Sequence, residues 1–366
     1  FVIADSGRTL TQSAALSGVM ITPMSMVLAC FLCGVAIATA MSFHSDGVQG
    51  LKLAFSPQKI LAALPCACFF ALSSTLLSLA YANGISPALA TVLGYVYMPV
   101  SALASRWVLG KFYMWLEWFA LIILTLASAV FGYLQQWYTT LASLHDGTEG
   151  HNARSSLGAM FMVVASACSS VMGSLLAEKI LKGERSLPFH IQKVRLDIGS
   201  VITTVILIFV IGKTSTRPQD AFWKDRPLDP NCDDAVCWAR TESANVTGFG
   251  CASPQCTCTC GGGLFVAWSS ALVILALVVN VIQSWLGGKV AKQFSTVMRA
   301  IAQSCSLLVI YFLGDFITGS HTFHDASMTL MALIVPLSMG LFMVSVGEME
   351  KVVRLAMKGD ERKTEL

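Results

Sequence analysis

The sequence predicts an all-α fold, a polytopic membrane helix bundle with about nine transmembrane helices. Three observations predict it. Of the 366 residues, 55% are hydrophobic and only 12% charged, whereas a soluble domain carries about 25% charged residues. The mean hydropathy is +0.67. Apolar runs long enough to cross about 30 Å of hydrocarbon recur along the chain, and its cations collect between alternate runs. The net charge of +3 is dispersed without a basic arm, so nucleic acid is excluded as a partner and the lipid bilayer is expected as one.

Spans are expected at 17–42, 58–82, 87–109, 115–137, 156–180, 190–212, 263–288, 294–318 and 326–347. Before the first lies a polar stretch, "FVIADSGRTLTQS", which opens on Phe1 and suggests a missing natural start. Pro65, Pro99, Gly199, Pro336 and Gly340 fall inside spans, where neighbouring helices can re-satisfy the backbone. The expected organisation is a single transmembrane domain, 1–347, with halves 1–137 and 156–347. A polar loop at 213–262 interrupts the second half, and a tail follows at 348–366.

Orientation follows from charge. One side carries Lys52, Lys59, Arg106, Lys111, the cluster from Lys179 to Arg195, Lys289, Lys292, Arg299 and the tail cations. That side is expected to be cytoplasmic. The 213–262 loop then faces the lumen, in keeping with its Asn-Val-Thr glycosylation sequon at Asn245. The same loop holds Cys232, Cys237, Cys251, Cys256, Cys258 and Cys260. Without a C-x-x-C pair or a histidine, these six point to disulfides in an oxidising lumen more than to zinc, and six cysteines allow fifteen connectivities.

Residues 91–112, "TVLGYVYMPVSALASRWVLGKF", align weakly with 296–316, "TVMRAIAQSCSLLVIYFLGDF". The two segments lie in the third and eighth expected spans and so run in opposite directions. Inverted repeats of this kind mark secondary transporters, which hold substrate near the midplane at the repeat interface.

Polar residues inside spans supply the candidate substrate site. Lys292, Thr296, Arg299, Gln303 and Ser306 are spaced 4, 3, 4 and 3 and share one helical face. They would face a wet cavity or an anion; the alternative is snorkelling of Lys292 and Arg299 to the interface. Beyond Pro188, Lys193 pairs with Asp197 at i, i+4, while Arg195 lacks such a sequence-local partner. Tyr95 and Tyr97 could stack on a base or simply pack, and Ser73 and Ser74 form a weaker polar patch. Neither paired carboxylates nor a nucleophile elbow nor a phosphate loop is present, so no enzyme activity and no cofactor are expected.

"EKILKG" at 178–183, "KQFS" at 292–295 and "VLG" followed by "WLEW" at 108–118 resemble the nucleotide-sugar transporter family of the drug/metabolite transporter superfamily. The resemblance covers about 58–347 apart from the cysteine loop. It implies ten helices in two inverted halves, the first of them preceding Phe1, in a Golgi or ER membrane. It also implies exchange of a cytosolic CMP- or UDP-sugar for a lumenal nucleoside monophosphate, and leaves a homodimer open. The chain departs from the family's pattern: Gln293 stands in place of a glycine, Ser73-Ser74 in place of a Gln-Asn pair, and Lys193-Val194-Arg195 in place of Asn-x-Gln. The rival expectations are a carrier of another organic anion or small metabolite, and a non-transporting scaffold with a lumenal binding loop.

Overall fold

A computed structural model describes residues 1–18, 21–85, 87–94, 96–109, scattered positions between 115 and 130, 151–184, 187–214, three short strands, 267–293, and isolated positions from 306 to 340. Eight helices are described: α1 (Val2–Gly18), α2 (Pro23–Ala54), α3 (Pro57–Ala82), α4 (Pro87–Gly94), α5 (Tyr97–Leu109), α6 (His151–Gly183), α7 (Phe189–Thr214) and α8 (Ala271–Gln293). Five contain stretches long and apolar enough to cross a membrane: α2, α3, residues Leu157–Leu181 of α6, α7, and residues Ala271–Val290 of α8. The protein is a multi-pass helical membrane protein. In keeping with this, side chains such as Leu61, Phe161, Ile206, Phe209 and Val278 are exposed on its outer surface.

Helix ends follow local chemistry. Pro23, Pro57 and Pro87 each sit at or beside a helix start, where a missing N–H costs nothing. α3 stops at Asn83 and Gly84; Gly84 adopts φ +79 and its N–H donates to Tyr81 O at 2.9 Å. That left-handed position favours glycine. α2 is bent at Gly47, whose φ of 58 and ψ of −146 are non-helical.

Small residues bring the helices together. A Cβ on Gly199 of α7 would sit 2.7 Å from Ala67 Cβ of α3, and one on Gly173 of α6 would sit 3.3 Å from Phe69 and Phe70. Glycine at both places permits the close approach that dispersion needs in lipid, where burial gives little drive. Hydroxyls then cross-link α3 and α6: Ser166 Oγ donates to Ser73 O at 2.8 Å and lies 3.1 Å from Ser73 Oγ.

The polar N-terminal stretch is a helix inside the bundle: α1 packs against α8 and α3 and buries Asp5, Ser6, Thr9, Gln12 and Ser13. These positions are spaced 1, 3, 3 and 1, one helical face. Within the expected span at 87–109 the described residues form two helices, α4 and α5, with Pro99 in the first turn of the second. The spans at 115–137, 294–318 and 326–347 lie largely outside the described residues.

The loop adds a small sheet to the described helices. Its strands, β1 (Arg226–Pro227), β2 (Ala235–Ala239) and β3 (Cys256–Cys260), are antiparallel in the order β1-β3-β2, with Cys237 opposite Cys258. Cys232, Cys251 and Asn245 lie outside the described residues.

Candidate functional site

A cavity of about 240 Å³ opens inside the bundle, walled by α1, α2, α3, α4, α6, α7 and α8 with Tyr97 of α5. Among the described residues four charged ones line it: Asp5 and Arg8 from α1, and Lys193 and Asp197 from α7. Hydroxyls from Ser73, Ser78, Ser166, Ser170 and Ser284 make up much of the remaining polar wall.

Each charged pair is tied to a neighbouring helix. Arg8 Nη2 lies 3.4 Å from Asp5 Oδ1, which also accepts from Gln283 Nε2 of α8 at 3.0 Å. Gln12 Nε2 donates to Ser78 Oγ of α3 at 2.9 Å. On the other wall, Lys193 Nζ donates to Asp197 Oδ1 at 2.6 Å and to Ser284 Oγ at 2.9 Å. Lys193 and Asp197 are 7% and 2% exposed, so removal of either leaves an uncompensated charge in a dry wall. Asp197 Oδ2 is buried without a hydrogen-bond partner, and so are Arg8 Nε and Gln12 Oε1. A Cβ on Gly34 of α2 would collide with Asp197 Oδ2, so that oxygen occupies a slot that only glycine leaves open.

Of the residues singled out from sequence, Lys193, Tyr97, Ser73 and Ser74 line this cavity. Arg195, Lys292 and Ser306 do not. Ser306 Oγ donates to Val2 O at 3.3 Å, behind α1. Thr296, Arg299, Gln303 and Tyr95 lie outside the described residues. Asp5, Arg8 and Gln12 are cavity residues that a hydropathy-led reading passes over, although their shared helical face was visible in the spacing.

Arg195 and Lys292 belong to a second polar cluster, at the end of the bundle where α6 turns into α7. Arg195 Nη2 and Nε donate to Leu53 O at 2.8 and 3.2 Å, and Nη1 donates to Glu184 Oε2 at 2.7 Å. Leu53 lies in the last turn of α2, where carbonyls lack intrahelical donors. Lys59, at the start of α3, pairs with the other Glu184 oxygen. Lys292 Nζ donates to Leu187 O at 2.6 Å and Gln192 Oε1 at 3.0 Å, while Gln192 Nε2 donates to Glu184 O at 2.9 Å. The hydrogen bond from Lys59, with the Arg195 charge behind it, holds the Glu184 carboxyl below the usual glutamate value. Desolvation pulls the Lys292 ammonium below its ordinary value. Nearby, His190 Nε2 lies 3.0 Å from Asp46 Oδ2 and 2.9 Å from Ser45 Oγ.

No cluster of histidine, cysteine or acidic residues suited to a metal occurs among the described residues. Fold and site together define a multi-pass helical membrane protein built around a polar internal cavity, whose charged lining balances among the described residues. No protein-family model matches the chain, and no curated protein matches it. One solved chain, described only as "Crystal structure of protein", is similar with a TM-score of 0.51 and 11% identity, covering 93% of this chain and 96% of that one. At that identity the likeness is one of fold.

Proposed function

We propose that the protein is a membrane carrier whose solute passes through the cavity between α1, α3, α6, α7 and α8, and that its cargo is a nucleotide sugar exchanged for a nucleoside monophosphate across a Golgi or ER membrane. The carrier half of this reading rests on the cavity: an apolar bundle has little structural use for two ion pairs and a band of serines in its centre, because each costs desolvation that lipid-facing packing would avoid. The cargo half rests on the resemblance of 178–183, 292–295 and 108–118 to nucleotide-sugar transporters. The remaining apolar runs complete nine spans in this reading, arranged as inverted halves, with the Glu184 cluster on the cytoplasmic side.

Lys193 and Arg8 are the cations placed to meet phosphate, and the serines to hold ribose or sugar hydroxyls. Uptake of UDP- or CMP-sugars into proteoliposomes preloaded with UMP, CMP or GMP tests this directly. Exchange with one matching monophosphate is expected. Absence of exchange with every nucleotide would overturn the cargo.

A second reading, a carrier of a more compact organic anion or metabolite, is favoured by the cavity itself. Its volume of about 240 Å³ falls just below the range of roughly 300–1,000 Å³ common for ligand pockets. The four charges among its described lining residues also cancel. The same vesicles, challenged with a panel of small carboxylates and phosphates, separate the two readings.

A further inference from the structure

Building on the carrier reading above, we propose that Asp197 is the proton-binding residue of the cavity and that its protonation hands Lys193 to the anionic group of the cargo, so that proton and anion move together. The geometry of the Lys193–Asp197 pair carries this. Asp197 Oδ1 accepts from Lys193 Nζ at 2.6 Å, while Oδ2 sits in the Gly34 slot with no partner. An ionised carboxylate has about four acceptor sites to fill. This one fills them poorly inside a membrane span.

Proton transfer from hydronium to the carboxylate leaves a neutral carboxyl and a water molecule; no other bond breaks and no electron moves. Lys193 then keeps the Ser284 hydroxyl as a neutral partner, and the other N–H bonds of its ammonium belong to a residue that lines the cavity. Before protonation an incoming anion meets a pair of zero net charge. Afterwards it meets a full positive charge. The coupling is reciprocal, so bound anion also favours the proton.

Asp5 of α1 is the other carboxylate in this cavity among the described residues, but its Oδ1 is held by both Arg8 and Gln283. From α2, Cys30 lies within electrostatic reach of both Lys193 and Asp197, with Cys33 one turn on and Arg8 of α1 beyond it. From α3, Cys66 and Cys68 contact Gly173 O and Thr203 Oγ1. α8 contributes the Ser284 hydroxyl, and α6 buries Glu178 nearby in sequence to Leu181, which lines the cavity. Asp5 and Glu178 are therefore the carboxylates to control for.

The full chain in proteoliposomes gives two independent measurements. Infrared difference spectra across a pH jump should show a protonated-carboxyl band that is lost in Asp197→Asn and retained in Asp5→Asn and in Glu178→Gln. If Asp197→Asn does not fold, Asp197→Glu should shift the band. UMP affinity should fall by up to about tenfold per pH unit on the alkaline side of that transition, because binding then requires a proton. The dependence should vanish in Asp197→Asn. A missing band, or one indifferent to both Asp197 variants, overturns the proton site, and UMP binding that persists unchanged with pH leaves the carrier reading standing. An Asp197-dependent band with no binding of UMP or inorganic phosphate at any pH overturns the anion carrier and keeps the proton site.

Discussion

Lys193 and Arg195 are separated by one residue on α7, yet they serve different regions. At about 100° per residue their side chains point some 200° apart. Lys193 turns to the cavity, where its partners are Asp197 and a hydroxyl from α8. Arg195 turns to the helix ends, where it caps the last turn of α2 and neutralises Glu184. The difference teaches that a cation's position in sequence does not give its role; its face does. Both are buried, but one lines a void and the other fills a joint.

The comparison can be broken most severely at the cavity pair. Lys193→Ala or Asp197→Ala is expected to cost about 3–5 kcal/mol, because each strands a buried charge, whereas the double change Lys193→Met with Asp197→Leu should cost much less. Thermal unfolding of the purified protein in detergent checks this; equal losses in single and double variants would show that the pair is not coupled. Next, Arg195→Gln should cost about 1.5–3 kcal/mol through lost charge-assisted bonds to Leu53 O and Glu184. It should leave cargo affinity unchanged. A weakened affinity in that variant would move Arg195 into the substrate path and erase the contrast.

Smaller still, Gln12→Ala removes the α1–α3 hydrogen bond and should lower stability by about 1 kcal/mol, read as a drop in melting temperature. The smallest effect is acid dependence at the joint. Because the Glu184 carboxyl is held low, its stabilisation is complete above the ordinary glutamate value and is lost as pH falls through the depressed one. Lys59 is half exposed, so screening keeps this contribution to at most about 1 kcal/mol. Glu184→Gln should flatten that acid limb in melting curves taken across pH.

Much of this was legible in the sequence. Hydropathy alone places α2, α3, α6, α7 and α8, since each is long and apolar enough to stand out from its flanks. α1 is harder because Asp5, Arg8 and Gln12 lower its hydropathy, and only their helical spacing betrays a buried polar face. The i, i+4 spacing of Lys193 and Asp197 predicts their contact. The partner of Arg195 could not be predicted that way: Leu53 O is a backbone group 142 residues distant, selected by packing of α2 against α7. Lys292 shows the same limit, since its partners Leu187 and Gln192 come from the α6–α7 turn and the first turn of α7.

The break between α4 and α5 has a mechanical meaning for the cavity. Thr91 and Gly94 on one side of it, and Tyr97 on the other, belong to the same wall. An unbroken helix would transmit any tilt of one end rigidly to the other, and bending it would sever hydrogen bonds. Here Pro99 has already removed the rung that would resist. The wall is therefore built from two short helices, bridged where they meet by the bond from Val96 N–H to Leu93 O at 3.2 Å.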